Sequence, residues 1–399
     1  MINKIRKYIH DRQRTTLPPV DIEGSVLTYS QTFDWGLKQL NIPKVWVKTK
    51  GAGVTIGVID TGMPYHNDIG DNAIAGESFI PGEDIEDLQG HQTHCVGIIN
   101  AKDNGYGMVG VAPQAKCLCV KGLSNSGSGT YGGLISSLQY CLDQKVDLVS
   151  MSLGGPNPSA EMEQMIDKLI QANIPVICAA GNSGNAGVGY PGGYTNTIAV
   201  GAYDEYGRIA GFSSKGPEVD FAKPGVAIYS TYLNNSYSRM SGTSMATPFM
   251  AGVVALLLSK WKSDKRQYTV DDVIDKLKAH AVDKGSQGKD ENWGHGVVDV
   301  ESIFFKKKPP QLPSPSPTPV PEPTPSPSPS PAPTPQPVIK PPQKVKKNYI
   351  AWIVLGIFVL VVGGIGVYQY LSNRVDIPPP PYIDDHGNIN WDEKYEADR

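Results

Sequence analysis

The sequence predicts an α/β domain with a largely parallel sheet covered by helices on both faces. Between residues 31 and 305, short β-branched runs alternate with longer patterned segments. The short runs are apolar at nearly every position, which is the signature of strands buried on both sides, and each closes on Gly, Asn, Asp or Pro.

In chain order, residues 1–30 are polar, contain Pro18 and Pro19 and show no sustained period, so they read as an extension lying on or off the main domain. Residues 54–60 (Val-Thr-Ile-Gly-Val-Ile-Asp), 116–120, 146–152, 174–180 and 197–201 read as buried strands. Residues 131–144 and 159–173 fit amphipathic helices. Residues 244–261 are more apolar, but polar breaks and Pro248 near the start make them a buried helix and not a membrane span.

Beyond residue 305 the composition changes. Of the 34 prolines, 17 fall between Pro309 and Pro342, alternating with Ser and Thr. Such a segment lacks both ladder donors and a core, and polyproline II at about 3.1 Å per residue would reach on the order of 100 Å. Residues 348–371 are uncharged and apolar, with Tyr349, Trp352, Tyr368 and Tyr370 near the ends, as expected of a single transmembrane helix. Lys340, Lys344, Lys346 and Lys347 precede that helix and only Arg374 lies close behind it. The positive-inside bias then puts the peptide chain before the helix in the cytoplasm and the acidic tail across the membrane. The resulting division is an extension over 1–30, a domain over 31–305, a Pro/Ser/Thr linker over 306–347, a transmembrane helix over 348–371 and an acidic tail over 372–399.

Composition narrows the function. A net charge of −3 and a pI near 6.2 exclude a strongly basic nucleic-acid binder. Five scattered cysteines in a domain of this size argue against a disulfide framework and for a reducing compartment, and the N-terminus has no apolar stretch of leader length.

Four segments carry chemistry: Val58-Ile-Asp60-Thr-Gly, Gly90-His91-Gln-Thr-His94, Ala179-Ala-Gly-Asn182-Ser-Gly and Ser241-Gly-Thr-Ser244-Met-Ala-Thr-Pro. Asp60 ends a buried strand, where an unpaired carboxylate is costly and an imidazole is the natural partner. His91 opens a helix. Ser244 heads the long apolar helix, where free N–H groups favour developing negative charge. A carboxylate, an imidazole and a hydroxyl at element ends are the parts of nucleophilic acyl transfer.

With these motifs the chain resembles the subtilisin family of serine peptidases from about Gln31 to Ile303, and the resemblance implies a three-layer subtilisin-like domain. The order Asp60, His91, Ser244 is that of subtilisin itself. The resemblance makes Ser244 the nucleophile, His91 the general base and then acid, Asp60 the group that orients the imidazole, and Asn182 an oxyanion donor. Ser152, Leu153, Gly154 and Gly155 resemble the wall that pairs with an extended substrate and borders the S1 pocket. Residues 102–108 (Lys-Asp-Asn-Gly-Tyr-Gly-Met) resemble the family's calcium loop, implying a structural Ca²⁺ held by Gln31, Asp68, Lys102, Asn104, Tyr106 and Met108. Zinc on His91, His94 and Cys95 lacks a second ligand cluster.

There are departures. The family usually has Gly where this chain has Gln92, which is expected to narrow the cleft or alter the surroundings of His91. Cys95 resembles the thiol of the proteinase K-like branch, and the short extension resembles that of intracellular subtilisins, with Leu17-Pro18-Pro19-Val20 a candidate to lie across the active site uncleaved. The sequence therefore predicts a membrane-anchored serine endopeptidase acting on extended polypeptide segments; a rival reading keeps the enzyme but makes it self-processing, cutting its own linker or N-terminus. The alternative is a catalytically silent subtilisin-fold protein that binds peptides or serves as a structural membrane component.

Overall fold

Parallel strands that are apolar on both faces need a helical layer on each side, and this chain supplies both. The computed structural model describes residues 30–305, together with the backbone of residues 14–16, 22–25, 382–383 and 389–390. The expected linker over 306–347, the transmembrane helix over 348–371 and most of the acidic tail lie outside the described residues.

The extension contributes β1 (Arg14–Thr16) and β2 (Ile22–Ser25). Short helices α1 (Trp35–Gln39) and α2 (Ile42–Val45) lead into β3 (Thr55–Asp60) and β4 (Ala73–Ser78). Next come α3 (His91–Asn100), β5 (Lys116–Lys121), β6 (Ser128–Thr130), α4 (Tyr131–Asp143), β7 (Leu148–Met151) and α5 (Ala160–Gln171). Strands β8 (Val176–Ala179), β9 (Ile198–Tyr203) and β10 (Val219–Pro224) precede the hairpin β11 (Ile228–Tyr232) and β12 (Ser236–Met240). The domain closes with α6 (Thr243–Ser263), α7 (Val270–Ala279), β13 (Ala281–Val282), β14 (Val297–Val298) and α8 (Val300–Phe304). Within the separate unit 319–399, β15 (Tyr382–Ile383) and β16 (Ile389–Asn390) pair antiparallel.

The central sheet has seven parallel strands in the order β10-β9-β8-β7-β3-β5-β4. The five strands expected from the sequence form its middle. The two that the periodicity did not reveal are its edges. β4 leaves Ile74, Ala75 and Glu77 exposed, and β10 carries Asp220, Lys223 and Pro224, residues that weaken a strand signal and are tolerated at an edge.

Each face of β3 meets a different core. Ile56 and Val58 pack with Val96 and Ile99 of α3 and with the Met250–Leu258 stretch of α6, whereas Ile59 packs with Leu134 and Leu138 of α4 and Ile166 of α5. At about 1.5–3 kcal/mol for each fully buried aliphatic side chain, these layers hold the strand ends in place. Gly57 lets α4 approach, because a Cβ there would strike the Cys141 thiol. Helix α6 is apolar and long enough to cross a membrane by composition, yet 94% of its apolar window is buried inside the domain, as expected of a core helix. All five cysteines are buried free thiols.

The extension lies on the domain at two places. β1 pairs antiparallel with β6 (Arg14 opposite Thr130, Thr16 opposite Ser128), and β2 pairs antiparallel with β12 (Ile22 opposite Met240, Ser25 opposite Ser238).

Candidate active site

Three element ends converge on one point. Asp60 is the last residue of β3, His91 the first of α3 and Ser244 the second of α6, and all three side chains are buried. His91 Nδ1 lies 2.8 Å from Asp60 Oδ1 and 2.9 Å from Oδ2, and Oδ1 also accepts the Thr61 N–H at 2.8 Å. Burial alone would pull the imidazole pKa down. The Asp60 carboxylate outweighs it, and His91 titrates well above the ordinary imidazole range.

The start of α3 is held by a carboxylate that no sequence motif singled out. Asp87 Oδ1 accepts from Gln89 N, Gly90 N and Thr61 Oγ1, and its Oδ2 accepts from Thr93 N and Oγ1. It takes the Thr93 N–H of the first turn, while Gln89 Oε1 and Thr61 Oγ1 take those of His91 and Gln92, and its charge complements the helix dipole, so His91 projects from a fixed end. The one available signal was an acidic residue just ahead of the Gly90-His91 helix start. Gly90 adopts φ +93, and a Cβ there would meet the Tyr232 ring.

Pro248 explains how the head of α6 is anchored. Proline has no N–H, so the bond from residue 248 to the Ser244 carbonyl is missing. That carbonyl instead accepts from Ser152 Oγ at 2.9 Å and from Cys95 Sγ at 3.4 Å. The Ser244 hydroxyl in turn donates to the Ser152 carbonyl at 3.2 Å. Among the described residues His91 Nε2 has no hydrogen-bond partner, so the serine–imidazole bond is not made in this conformation. Resting catalytic hydrogen bonds are commonly loose and tighten when substrate binds.

Asn182 stands beside this helix start. Its Oδ1 accepts from Thr243 N at 2.9 Å and Thr243 Oγ1 at 2.8 Å, and Gly181 N donates to that same hydroxyl at 3.1 Å. Two donors on Oδ1 establish which end of the amide is the carbonyl and turn Nδ2 into the donor end.

Residues Ser152–Gly155 leave the end of β7, and Leu153, Gly154 and Gly155 form one wall of a cavity of about 380 Å³, lined also by Gly181, Val188 and Gly189. Gly155 and Tyr190 exchange backbone hydrogen bonds at 2.8 Å, which ties this wall to the opposite one. None of the lining residues is charged.

His94 faces the other way. Its Nε2 bonds the Ile228 and Ser238 carbonyls at 3.0 and 3.2 Å, burial pulls its pKa down to about 3, and it ties α3 to the β11–β12 hairpin. A His91–His94–Cys95 zinc set is therefore not assembled. Asp60, His91 and Cys95 do present potential ligand atoms within 4.8 Å of one another. The Asp60–His91 hydrogen bond occupies two of these, and burial keeps Cys95 a thiol. Gln92 does not narrow the cleft: its side chain is fully buried beneath the Asp60 turn.

The expected cation ligands also converge. Asp68 Oδ1 accepts from Asn104 Nδ2 at 2.8 Å, and its Oδ2 accepts from Met108 N at 2.7 Å. Gln31 Nε2 donates to the Lys102 carbonyl at 2.9 Å and the Met108 carbonyl at 3.5 Å. The two hydrogens of this one amide nitrogen bring the Lys102 and Met108 carbonyls to the same side chain. The Tyr106 N–H donates to Asn104 Oδ1 at 3.2 Å. Burial raises the Asp68 pKa, so a cation would stabilise its ionised form. A half-turn of the Gln31 and Asn104 amides would present their oxygens beside Asp68 and the loop carbonyls, an all-oxygen donor set of the kind that fits Ca²⁺.

The model of the subtilase family matches residues 51–296. The chain belongs to the subtilase family. It is 39% identical over 280 residues to subtilisin DY of Bacillus licheniformis, covering 68% of this chain and 99% of that one. It is 38% identical over 282 residues to subtilisin E of Bacillus subtilis (strain 168), covering 69% of this chain and 72% of that one. M-protease of Shouchella clausii is 36% identical over 289 residues, with 72% of this chain and 74% of that one aligned. This subtilase is a subtilisin-like serine endopeptidase.

Proposed function

We propose that this subtilase cleaves extended polypeptide segments through an Asp60–His91–Ser244 triad while tethered to a membrane by its C-terminal region. The observation that carries the chemistry is the buried Asp60–His91 pair beside Ser244 at the head of α6. Ser244 Oγ attacks the scissile carbonyl carbon as His91 Nε2 takes its proton. The resulting oxyanion accepts from the Ser244 N–H and Asn182 Nδ2. As the intermediate collapses, His91 passes the proton to the leaving amine, and water then repeats the sequence on the acyl-enzyme. Asp60 keeps the proton on Nδ1 and supports the imidazolium. The uncharged cavity beside Gly154 favours an apolar P1 side chain, and Ser152–Gly155 pairs with the substrate backbone.

The tether is residues 348–371, reached through the proline-rich linker over 306–347, with the peptidase domain on the cytoplasmic side by the lysine asymmetry. A structural Ca²⁺ held by Gln31, Asp68 and Asn104 side chains and by the Lys102, Tyr106 and Met108 carbonyls would stiffen the loop that follows α3, without entering the reaction. The extension acts as an inhibitory segment, as in intracellular subtilisins: β1 runs antiparallel on β6, and Leu17-Pro18-Pro19-Val20 follows β1 directly. Proline at the reacting bond would slow self-cleavage. The reading of Cys95 as a proteinase K-like thiol is supported by its Sγ lying 3.9 Å from His91 Nδ1.

The test is labelling of the full chain and Ser244→Ala with a fluorophosphonate probe, alongside casein digestion with and without a calcium chelator. Labelling and digestion that vanish together in the variant establish Ser244 as an activated nucleophile. Folded wild type that stays unlabelled, even without residues 1–24, means the triad does not function and favours a peptide-binding protein. Protease protection of tagged termini in membrane vesicles tests the tether and its orientation.

A further inference from the structure

We propose that Gln92 is a positioning residue that holds Asp60 in register with His91 by gripping the backbone on both sides of the carboxylate. Its side chain is wholly buried. Oε1 accepts the Gly62 N–H at 2.6 Å and Nε2 donates to the Val58 carbonyl at 3.1 Å, so the amide contacts the residues two before and two after Asp60. The Gln92 N–H donates to Thr61 Oγ1 at 3.0 Å, and that hydroxyl donates to Asp87 at 2.8 Å. Thr61, Gly62 and the strand carbonyl before them are thereby tied to the first turn of α3.

The sheet leaves a gap that this amide fills. β3 pairs with β5 all the way to Asp60, but its pairing with β7 stops at Val58. Asp60 therefore stands beyond the last two-sided register position, where strand pairing alone fixes it from one side. Gly62 turns the chain at φ +129, with the Ile85 and Glu86 carbonyls against the place a Cβ would take. That turn is confined to glycine, and its buried N–H needs an acceptor. The Cys119 thiol, on β5 opposite Val58, completes the lining around the amide. Consecutive residues of one helix thus hold consecutive parts of one strand end: His91 the carboxylate, Gln92 the backbone. A carboxylate that must meet Nδ1 with both oxygens, at 2.8 and 2.9 Å, tolerates little drift.

The inference rests on the triad reading of Asp60, His91 and Ser244, and the experiment separates the two. Gln92→Leu keeps the volume but strands the Gly62 N–H and the Val58 carbonyl. Gln92→Gly opens space that water can fill and restores the residue the family usually carries. Full-length wild type and both variants are titrated with a fluorophosphonate probe, and kcat and KM per labelled site are followed between about pH 5 and pH 10. Gln92→Leu is expected to lower kcat by about 10- to 100-fold at a KM within about twofold of wild type, the scale on which a misplaced catalytic group costs rate. Its acidic limb should move to lower pH, because a displaced Asp60 raises the His91 pKa less. Gln92→Gly should fall between the two, and it decides the matter if Gln92→Leu fails to fold. A variant that loses thermal stability but keeps the wild-type kcat per site and the wild-type acidic limb makes Gln92 a packing residue and overturns the proposal. Wild type that does not label defeats the triad reading itself, and this proposal with it.

Discussion

The two ends of α3 show how differently one helix can be used. At its N-terminus, His91, Gln92, Thr93 and His94 are all buried and held by Asp60, Asp87, Gly62 and strand carbonyls. Past its C-terminus, Asp103, Asn104, Gly105 and Tyr106 are exposed, and the Gln31 and Asn104 side chains meet the Lys102 carbonyl and Asp68. The first end is preorganised by packing and by hydrogen bonds that fix the His91 ring while leaving its Nε2 open, the kind of fixed geometry that transition-state stabilisation requires. The second end is an exposed loop tied to Asp68 through Asn104 and Met108. If the proposed triad and calcium site are as argued, chemistry and metal-linked stability divide between the ends of one element and should be separable by mutation.

The largest expected effect is at the first end. Ser244→Ala should lower kcat by about 10⁶-fold, the magnitude that the same loss has in subtilisin, while leaving the melting temperature of the domain within a degree or two. Thermal unfolding and peptide hydrolysis on the same sample check it, and a parallel loss of both would erase the separation. Asp60→Asn should cost about 10⁴-fold in kcat, by analogy with the same change in a related triad. It also tests the sign of the pH dependence. As the proposed general base His91 must be neutral to accept the serine proton, so activity should be lost as pH falls through its raised pKa, and removing the Asp60 charge should move that acidic limb to lower pH. A pH–rate profile of both proteins reads this directly.

Asn182→Ala should lower kcat about 10²- to 10³-fold at similar KM, again a subtilisin magnitude. A purely KM effect would make Asn182 a wall of the cavity and not an oxyanion donor. The smallest effect on chemistry belongs to the second end. Chelating calcium, or Asp68→Asn, should lower the melting temperature by roughly 5–10 °C, as expected for losing an ion bound at about a hundred times its Kd. The kcat per folded molecule should hold. Loss of kcat before unfolding would show that the two ends of α3 communicate.

The legible parts of this molecule share a physical cause. The five middle strands were readable because burial on both faces demands uninterrupted apolar residues. Helices α4 and α5 were readable because one face packs on the sheet, with Thr130 and Ser159 capping their first turns. Edges β4 and β10 were not, since an edge tolerates Glu77, Lys223 and Pro224, and the β11–β12 hairpin turns on Asn234 and Asn235, both at positive φ, between strands rich in Ser, Thr and Tyr. In the candidate site, Asp60, His91 and Ser244 stood out because each occupies an element end within a distinctive local motif, and Asn182 because the loop after β8 carries one as well. Asp87 did not, and Gln92 stood out only as a departure from the family's usual Gly, because their roles depend on where their hydrogen-bond partners lie.

By itself the sequence determined the parallel α/β architecture, the buried core helix and the candidates for the chemistry-bearing side chains, because these follow from periodicity and from the residue types acyl transfer requires. Only the tertiary structure decided which way Gln92 and His94 point, that the Ser244 carbonyl freed by Pro248 is taken up by Ser152 and Cys95, and that the extension pairs with β6 and β12. Those outcomes rest on hydrogen bonds between segments far apart in the chain, and such partners are chosen by packing in three dimensions, which local spacing does not encode.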